Sequence, residues 1–141
     1  MNNIIPIKER LAQKSAISGK AGAAIMSDML NDEKIMNLVT THYNSITCEN
    51  EMKPEIILGD KPAFRVDSEE RICIDKNDDP VLILDFSRAD KIMDYIKIYN
   101  EKNTDDPIRV RGHVLVWHSQ TPDWFFGRNM ISGDHMCAEI G

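Results

Sequence analysis

Arg111-Gly112-His113-Val114-Leu115-Val116-Trp117-His118-Ser119-Gln120-Thr121-Pro122-Asp123-Trp124-Phe125-Phe126 is the stretch from which the rest of the chain can be read. Apolar and β-branched residues dominate from Ile108 to Trp117. That density suits a strand buried on both faces, as in a parallel sheet. Side chains alternate along a strand, so His113, Leu115 and Trp117 are expected on one face, with Val114 and Val116 packing under helices on the other. Beyond the strand, His118, Ser119, Gln120, Asp123 and Trp124 form a polar and aromatic loop, and Pro122 disfavours helix at Thr121. Polar groups at the C-terminal end of a parallel strand stand where α/β folds keep their binding sites.

Working outward, Ser87 begins an amphipathic helix from Arg88 to about Lys102. Its expected buried stripe is Ile92, Met93, Ile96 and Tyr99, while Asp90, Lys91, Asp94 and Lys97 face water. A second helix, capped at Asn31 or Asp32 and running to about Tyr43, carries Ile35, Leu38 and Val39 as its apolar stripe. Ser45 to Glu49 reads as a strand, and the small residues between Ser18 and Met26 suit an earlier one. A weak helical pattern covers Ile5 to Lys14. Between Ile56 and Asp85 the sequence is irregular, with short extended pieces at Ala63–Val66 and Arg71–Ile74 suited to a hairpin inside a loop excursion. Strand, helix, strand, helix, strand implies a parallel sheet.

A second motif, Asn44-Ser45-Ile46-Thr47-Cys48-Glu49-Asn50-Glu51-Met52-Lys53-Pro54, also runs from strand into charged loop. Together the two closely resemble the N-terminal part of glycoside hydrolase family 10, endo-β-1,4-xylanases built on a TIM barrel. The resemblance spans roughly residues 21–126 and is strongest over 44–54 and 108–126. It implies that residues 1–141 are an N-terminal portion of the catalytic domain. The expected fold is α/β, a partial TIM (β/α)8 barrel of about the first three β-α units, because a complete barrel takes about 250 residues.

The family retains anomeric configuration with two glutamates, an acid/base on the fourth strand and a nucleophile on the seventh. Neither motif occurs in this chain. What the resemblance implies for these residues is the sugar-binding part of the cleft. Glu49, Asn50 and Lys53 match residues that hydrogen-bond the sugar two units to the non-reducing side of the cleavage point; the bland alternative is a surface pair of Glu49 and Lys53. His113, Trp117 and Gln120 match residues around the adjoining sugars, where an indole offers a flat face and His and Gln bond hydroxyls. The competing reading is a core histidine and tryptophan. His118, of opposite strand parity, is expected to brace the site, and Trp124, Phe125 and Phe126 to pack on the barrel's outside. Glu49 and Glu51 lie too close on one strand to flank a bond from opposite sides, so they are not a catalytic pair.

Composition excludes more than it identifies. A net charge of −6 argues against nucleic acid, and no apolar run approaches the ~20 residues of a membrane span. Cys48, Cys73 and Cys137 show no pairing motif, with Cys48 most simply a small core residue. His113, His118, His135 and Cys137 have no zinc-ligand spacing, so no metal or cofactor is expected. No signal peptide is visible, which points to a cytoplasmic chain unless a secreted protein has been trimmed. The expected partner is xylan or xylo-oligosaccharide. Three strands of an unclosed barrel also invite self-association or pairing with a complementary C-terminal half. Two rivals remain: a catalytically inactive barrel fragment that binds sugar or a complementary chain, and an unrelated parallel α/β binding domain.

Overall fold

The computed structural model describes residues 4–14 and 20–126. The proposed start of the first strand at Ser18, and His135 and Cys137, lie outside them. The chain divides into two compact units, Met1–Met52 with Ser87–His113, and Lys53–Phe86 with Val114–Gly141.

The first unit contains α1 (Ile7–Lys14), β1 (Gly22–Ile25), a 3₁₀ helix (Ser27–Asn31), α2 (Glu33–His42), β2 (Ser45–Cys48), α4 (Ser87–Lys102) and β3 (Arg109–Arg111). Between β2 and α4 in chain order, α3 (Pro54–Leu58) belongs to the other unit. The strands lie in the order β1-β2-β3, all parallel, as the strand–helix alternation requires. Ala23 pairs with Ile46 and Val110 with Ile46 on its other side. Alternation sends Ile25, Ile46, Cys48 and Val110 to the helix-covered face. There they form one core with Met36 and Val39 of α2, Ile92 and Ile96 of α4, and Ile108. Gly22, Ala24, Ser45, Thr47, Arg109 and Arg111 occupy the other, more exposed face.

Local chemistry sets these elements. Asp32 caps α2, its carboxylate accepting from the Lys34 and Ile35 amides. The Asn100 side chain clasps the entry to β3, donating to the Ile108 carbonyl at 2.9 Å and accepting from the Ile108 amide at 2.8 Å. Lys8 of α1 donates to the Thr40 carbonyl and pairs with Asp106.

Three expectations are corrected. β3 ends at Arg111 rather than Trp117, and Arg109 and Arg111 are exposed, so the strand is buried on one face only. The reason is register: β2 stops at Cys48, its last pair with β3 is Thr47 to Arg111, and residues beyond have no partner on that side. Val110 therefore fills the core place foreseen for Val114 and Val116, and Leu115 is 92% exposed. In α2 the buried side chains are Met36 and Val39, with Leu38 55% exposed. In α4, Ala89 joins Ile92 and Ile96, while Met93 faces out.

The second unit is built from turns. Pro54 at the first position starts a short helix, α3 (Pro54–Leu58), unforeseen in the sequence. Gly59 ends it at φ 71°, a backbone that favours glycine. The expected hairpin is present, with Val66 bridged to Ile72, but it is one third of a closed figure. Ile74 is bridged to Pro80, and Leu82 returns to Phe64. The Cys73 amide donates to the Arg65 carbonyl at 2.7 Å, Val81 to Cys73 at 2.9 Å, and Arg65 to Val81 at 2.8 Å. Residues at eight-residue intervals thus close a ring of backbone hydrogen bonds. Its two internal turns are copies: the Asp67 carboxylate accepts from the Glu69 and Arg71 amides, and the Asp75 carboxylate from those of Asn77 and Asp79. Each turn passes through a positive φ, 62° at Glu70 and 66° at Asp78.

No helix among the described residues is long and apolar enough to cross a membrane.

Candidate functional site

The six proposed sugar contacts fall in two groups, each just beyond the C-terminal end of a strand. Glu49, Asn50 and Lys53 follow β2, and His113, Trp117 and Gln120 follow β3. Glu49, Asn50 and His113 belong to the first unit, and Lys53, Trp117 and Gln120 to the second.

In the first unit the exposed sheet face forms the floor of an open cavity of about 460 Å³. Ser45, Thr47, Glu49, Arg111 and His113 line it, so Glu49 and His113 share one surface. Strand parity explains this: Thr47 and Arg111 are register partners, and Glu49 and His113 lie two residues further along the same face. The Glu49 amide still bonds to the Ile25 carbonyl at 2.9 Å, carrying the parallel ladder one step past β2 and fixing its backbone. Hydroxyls, a carboxylate, a guanidinium and an imidazole on one concave surface supply donors and acceptors for a hydroxyl-rich ligand.

Glu51 has a different setting. Only 5% exposed, it accepts hydrogen bonds from the Ser27 amide at 2.5 Å and from the Asn50 amide at 3.2 Å. Burial pushes its carboxyl up, but donation from Ser27, from its own amide and from Asn50 outweighs this and holds it below the ordinary value. Cys48 beneath it is pushed up to about 11, by burial first and by the Glu51 charge second. The thiol is a core group, as its place in an apolar strand suggested.

In the second unit the loop after β3 is a set of clasps rather than a strand end. The Thr121 hydroxyl, buried, donates to the Trp117 carbonyl at 2.7 Å and accepts from the Trp117 amide at 3.2 Å. The Gln120 amide nitrogen donates to the Glu55 carboxylate at 2.6 Å, and the Glu55 backbone amide returns a bond to the Gln120 carbonyl at 3.0 Å. Trp117, 39% exposed, has the Lys53 ammonium 5.7 Å from its ring centroid, within the range of a cation–π contact. Trp124 is 4% exposed, its indole donating to the Gly59 carbonyl at 3.0 Å, whereas Phe125 and Phe126 stay exposed. The packing role expected for all three therefore holds for Trp124 alone. His118 is also exposed; its ring meets that of Trp117 edge to face at 6.1 Å between centroids, which is the contact behind any bracing role.

Sequence reasoning missed Glu55 and Thr121, which hold Gln120 and Trp117. Thr121 was inside the quoted motif but read only as a residue barred from helix by Pro122. Glu55 follows Pro54 at a helix start, a signal for helix N-terminus rather than for a side-chain partner 65 positions away. Among the described residues no three metal-ligating side chains converge.

Comparison with known proteins gives consistent results. The profile of Glycosyl hydrolase family 10 matches residues 9–140. Endo-1,4-beta-xylanase A of Thermotoga maritima is 35% identical over 144 residues, covering 96% of this chain and 11% of that protein. Endo-1,4-beta-xylanase A of Butyrivibrio fibrisolvens is 37% identical over 117 residues, 79% of this chain and 27% of its own length. The chain thus spans about a tenth to a quarter of these relatives. Among solved structures, the CBM22-1–GH10 modules of a Clostridium thermocellum endo-1,4-beta-D-xylanase complexed with xylohexaose superpose with a TM-score of 0.61 at 30% identity, covering 92% of this chain and 20% of that one. An intracellular xylanase from Thermoanaerobacterium saccharolyticum gives 0.58 at 28%, covering 89% and 29%. The three parallel strands and their helices correspond to part of that barrel.

Proposed function

Because this chain belongs to glycosyl hydrolase family 10, we propose that it carries the glycone-side sugar-binding residues of an endo-1,4-β-xylanase that cleaves xylan with retention, without carrying the catalytic carboxylates. The observation that supports this best is positional. Both motifs deliver their polar and aromatic residues immediately past β2 and β3, where a barrel places its cleft. Glu49 and Asn50 supply an acceptor and an amide, His113 a ring donor, and Lys53 and Trp117 a cation beside a flat aromatic face.

Retention requires two carboxyls about 5–5.5 Å apart across the glycosidic bond, one protonated and one ionised. Nothing on β1 to β3 supplies such a pair. Glu51 is buried and hydrogen-bonded, Glu55 is engaged by Gln120, and Glu49 shares its strand end with Glu51 rather than lying opposite it. Chemistry is accordingly assigned to strands beyond the three described. The 141-residue chain, incubated with xylan, is expected to release no xylo-oligosaccharides. Release that disappears in Glu49→Gln would show that the catalytic carboxylates have been misassigned. In a completed barrel, Trp117→Ala or Asn50→Ala should lower turnover of xylo-oligosaccharides several-fold or more, since binding at these subsites holds the sugar for attack.

The sheet favours a second reading beside the first. Among the described residues β1 and β3 are both edge strands, and the face carrying Ser45, Thr47, Arg109 and Arg111 is not part of the buried core. A barrel removes such edges by closure. We therefore propose that the chain pairs with a complementary barrel portion or with itself. Sedimentation showing a compact monomer, with a sharp melt and no binding of a hydrophobic dye, would refute this.

A further inference from the structure

We infer that Glu51 is a positioning residue: its buried carboxylate fixes the loop that presents Asn50 and ties that loop to the one following β1. The inference rests on the reading of Asn50 as a sugar contact. Three observations carry it.

The first is placement. β1 ends at Ile25 and β2 at Cys48, and these two residues are register partners at the end of the ladder. Past them the backbones must separate, since one chain turns into the 3₁₀ helix Ser27–Asn31 and the other into the Glu49–Met52 turn. Glu51 bridges that divergence. One carboxylate oxygen accepts from the Ser27 amide and the other from the Asn50 amide.

The second is charge. A carboxylate 5% exposed is costly unless its oxygens are satisfied. Here the Ser27 amide donates to one oxygen and the Asn50 amide to the other. Donors from two loops, one on each carboxylate oxygen, offset the cost of burial and hold the carboxyl below its ordinary value. A buried group so held fixes the backbone to which it is bonded.

The third is direction. Glu51 is turned into the unit while Glu49, two residues earlier, lies exposed on the cavity. Its carboxylate is therefore not a ligand donor. It acts through Asn50, whose amide it holds and whose side chain follows from that backbone. An interior anchor is compatible with a sugar contact next to it because the two use different atoms of neighbouring residues.

The experiment compares the ¹⁵N-labelled 141-residue chain with Glu51→Gln. The substitution keeps the shape but replaces one acceptor oxygen with a donor, so the Ser27 or Asn50 amide loses its partner. The expected result is a large shift of those two amide resonances, exchange at least tenfold faster, and xylohexaose binding at least tenfold weaker. Core amides such as Val39 and Ile96 should keep their protection, which separates positioning from general loosening. Glu51→Asp keeps the charge but shortens the side chain so that it no longer reaches both amides, and guards against failure of the first variant to fold. It should weaken binding about threefold with the same two amides affected. Unaltered Ser27 and Asn50 amides, or full affinity in either variant, would overturn the role of Glu51. The amide readout needs no sugar, so a wild-type chain that ignores xylohexaose counts against Asn50 as a contact and not against the clasp.

Discussion

The two units reach order by different physics. In the first, Ile25, Ile46, Cys48 and Ile92 are inaccessible to solvent, in a core shared by the sheet and the helices α2 and α4. In the second, Trp124 is the buried large apolar side chain, while Val66, Ile72 and Ile74 remain about half exposed. What holds that unit is a hydrogen-bonded ring at Arg65, Cys73 and Val81, two Asp-anchored turns, and the paired clasps of Glu55 with Gln120 and Thr121 with Trp117. Burial is roughly proportional to apolar area and tolerates sequence variation at constant volume. Turn chemistry depends on single side chains at fixed positions. The proposed sugar contacts are divided between the two regimes, so the same kind of substitution should have unlike effects in each.

The largest contrast is in thiol chemistry. Cys48 is fully buried and pushed up to about 11, so roughly one molecule in a thousand is ionised at pH 8 even before access is considered. Cys73 sits in the ring of the second unit and is partly accessible. In a Cys137→Ser background, a maleimide should label Cys73 at a rate orders of magnitude above Cys48. Equal labelling would mean that the core of the first unit opens as readily as the second.

A core deletion comes next. Ile92→Ala removes a wholly buried side chain from the apolar cluster shared by α2, α4 and the sheet, and should cost about 2–5 kcal/mol. Val66→Ala, at a half-exposed position, should cost a small fraction of that. Chemical unfolding followed at Trp117 and Trp124, beside amide exchange at Ile46 and Cys73, would show which unit each change reaches. Equal losses from both would erase the distinction.

The same contrast explains what could be read from the sequence. Helix and strand existence in the first unit follows from periodicity: α2, α4, β1 and β2 were all legible, and so was the resemblance carried by the loops after β2 and β3. The face that α2 buries was not. Ile35, Met36, Leu38 and Val39 make an apolar arc wide enough for either edge to face inward, and packing chose the edge with Met36. The length of β3 was hidden for another reason, since Ile108 to Trp117 has strand composition throughout while its partner β2 stops at Cys48. Composition describes what a segment tolerates, whereas pairing needs a neighbour. In the second unit, the eight-residue ring joins Phe64 to Leu82 through weakly similar repeats of Phe-Arg-Val, Ile-Cys-Ile and Pro-Val-Leu. The repeat is one of backbone hydrogen bonding, so side-chain identity says little about it. Glu55 and Thr121 stayed invisible because their partners are set by tertiary contact.

Turn anchors rank third in expected effect. Asp75→Ala removes the acceptor for the Asn77 and Asp79 amides and should cost about 1 kcal/mol, read as faster exchange at Asn77 and Asp79. Asp67 provides the pH test. The amides of Arg71 and then Glu69, followed by the Arg71 side chain, hold its carboxyl below the usual value. A depressed folded value means that the turn gains from this group at any pH above the unfolded value of about 3.9 and loses that gain as pH falls through the lower folded value. The Glu69 and Arg71 amide shifts should therefore titrate together at acid pH, and Asp67→Asn should abolish the step. A step persisting in that variant would assign it to another group.

The smallest expected effect has the opposite sign. Glu70 and Asp78 occupy equivalent places in the two turns, at φ 62° and 66°. A residue with a Cβ is strained there by roughly 1 kcal/mol, less for Asp, whose short polar side chain tolerates the left-handed region. Glycine lacks the strain but loses more backbone freedom on folding, which takes back part of the gain. Glu70→Gly should therefore stabilise the second unit by a few tenths of a kcal/mol, and Asp78→Gly by less. Neither should move the first unit, whose core contains no residue of this turn. Denaturant midpoints with unchanged slopes would measure both. A destabilised Glu70→Gly would mean that the entropy of the unfolded chain outweighs the relief of strain, and that the ring rather than the turn residue dictates this backbone.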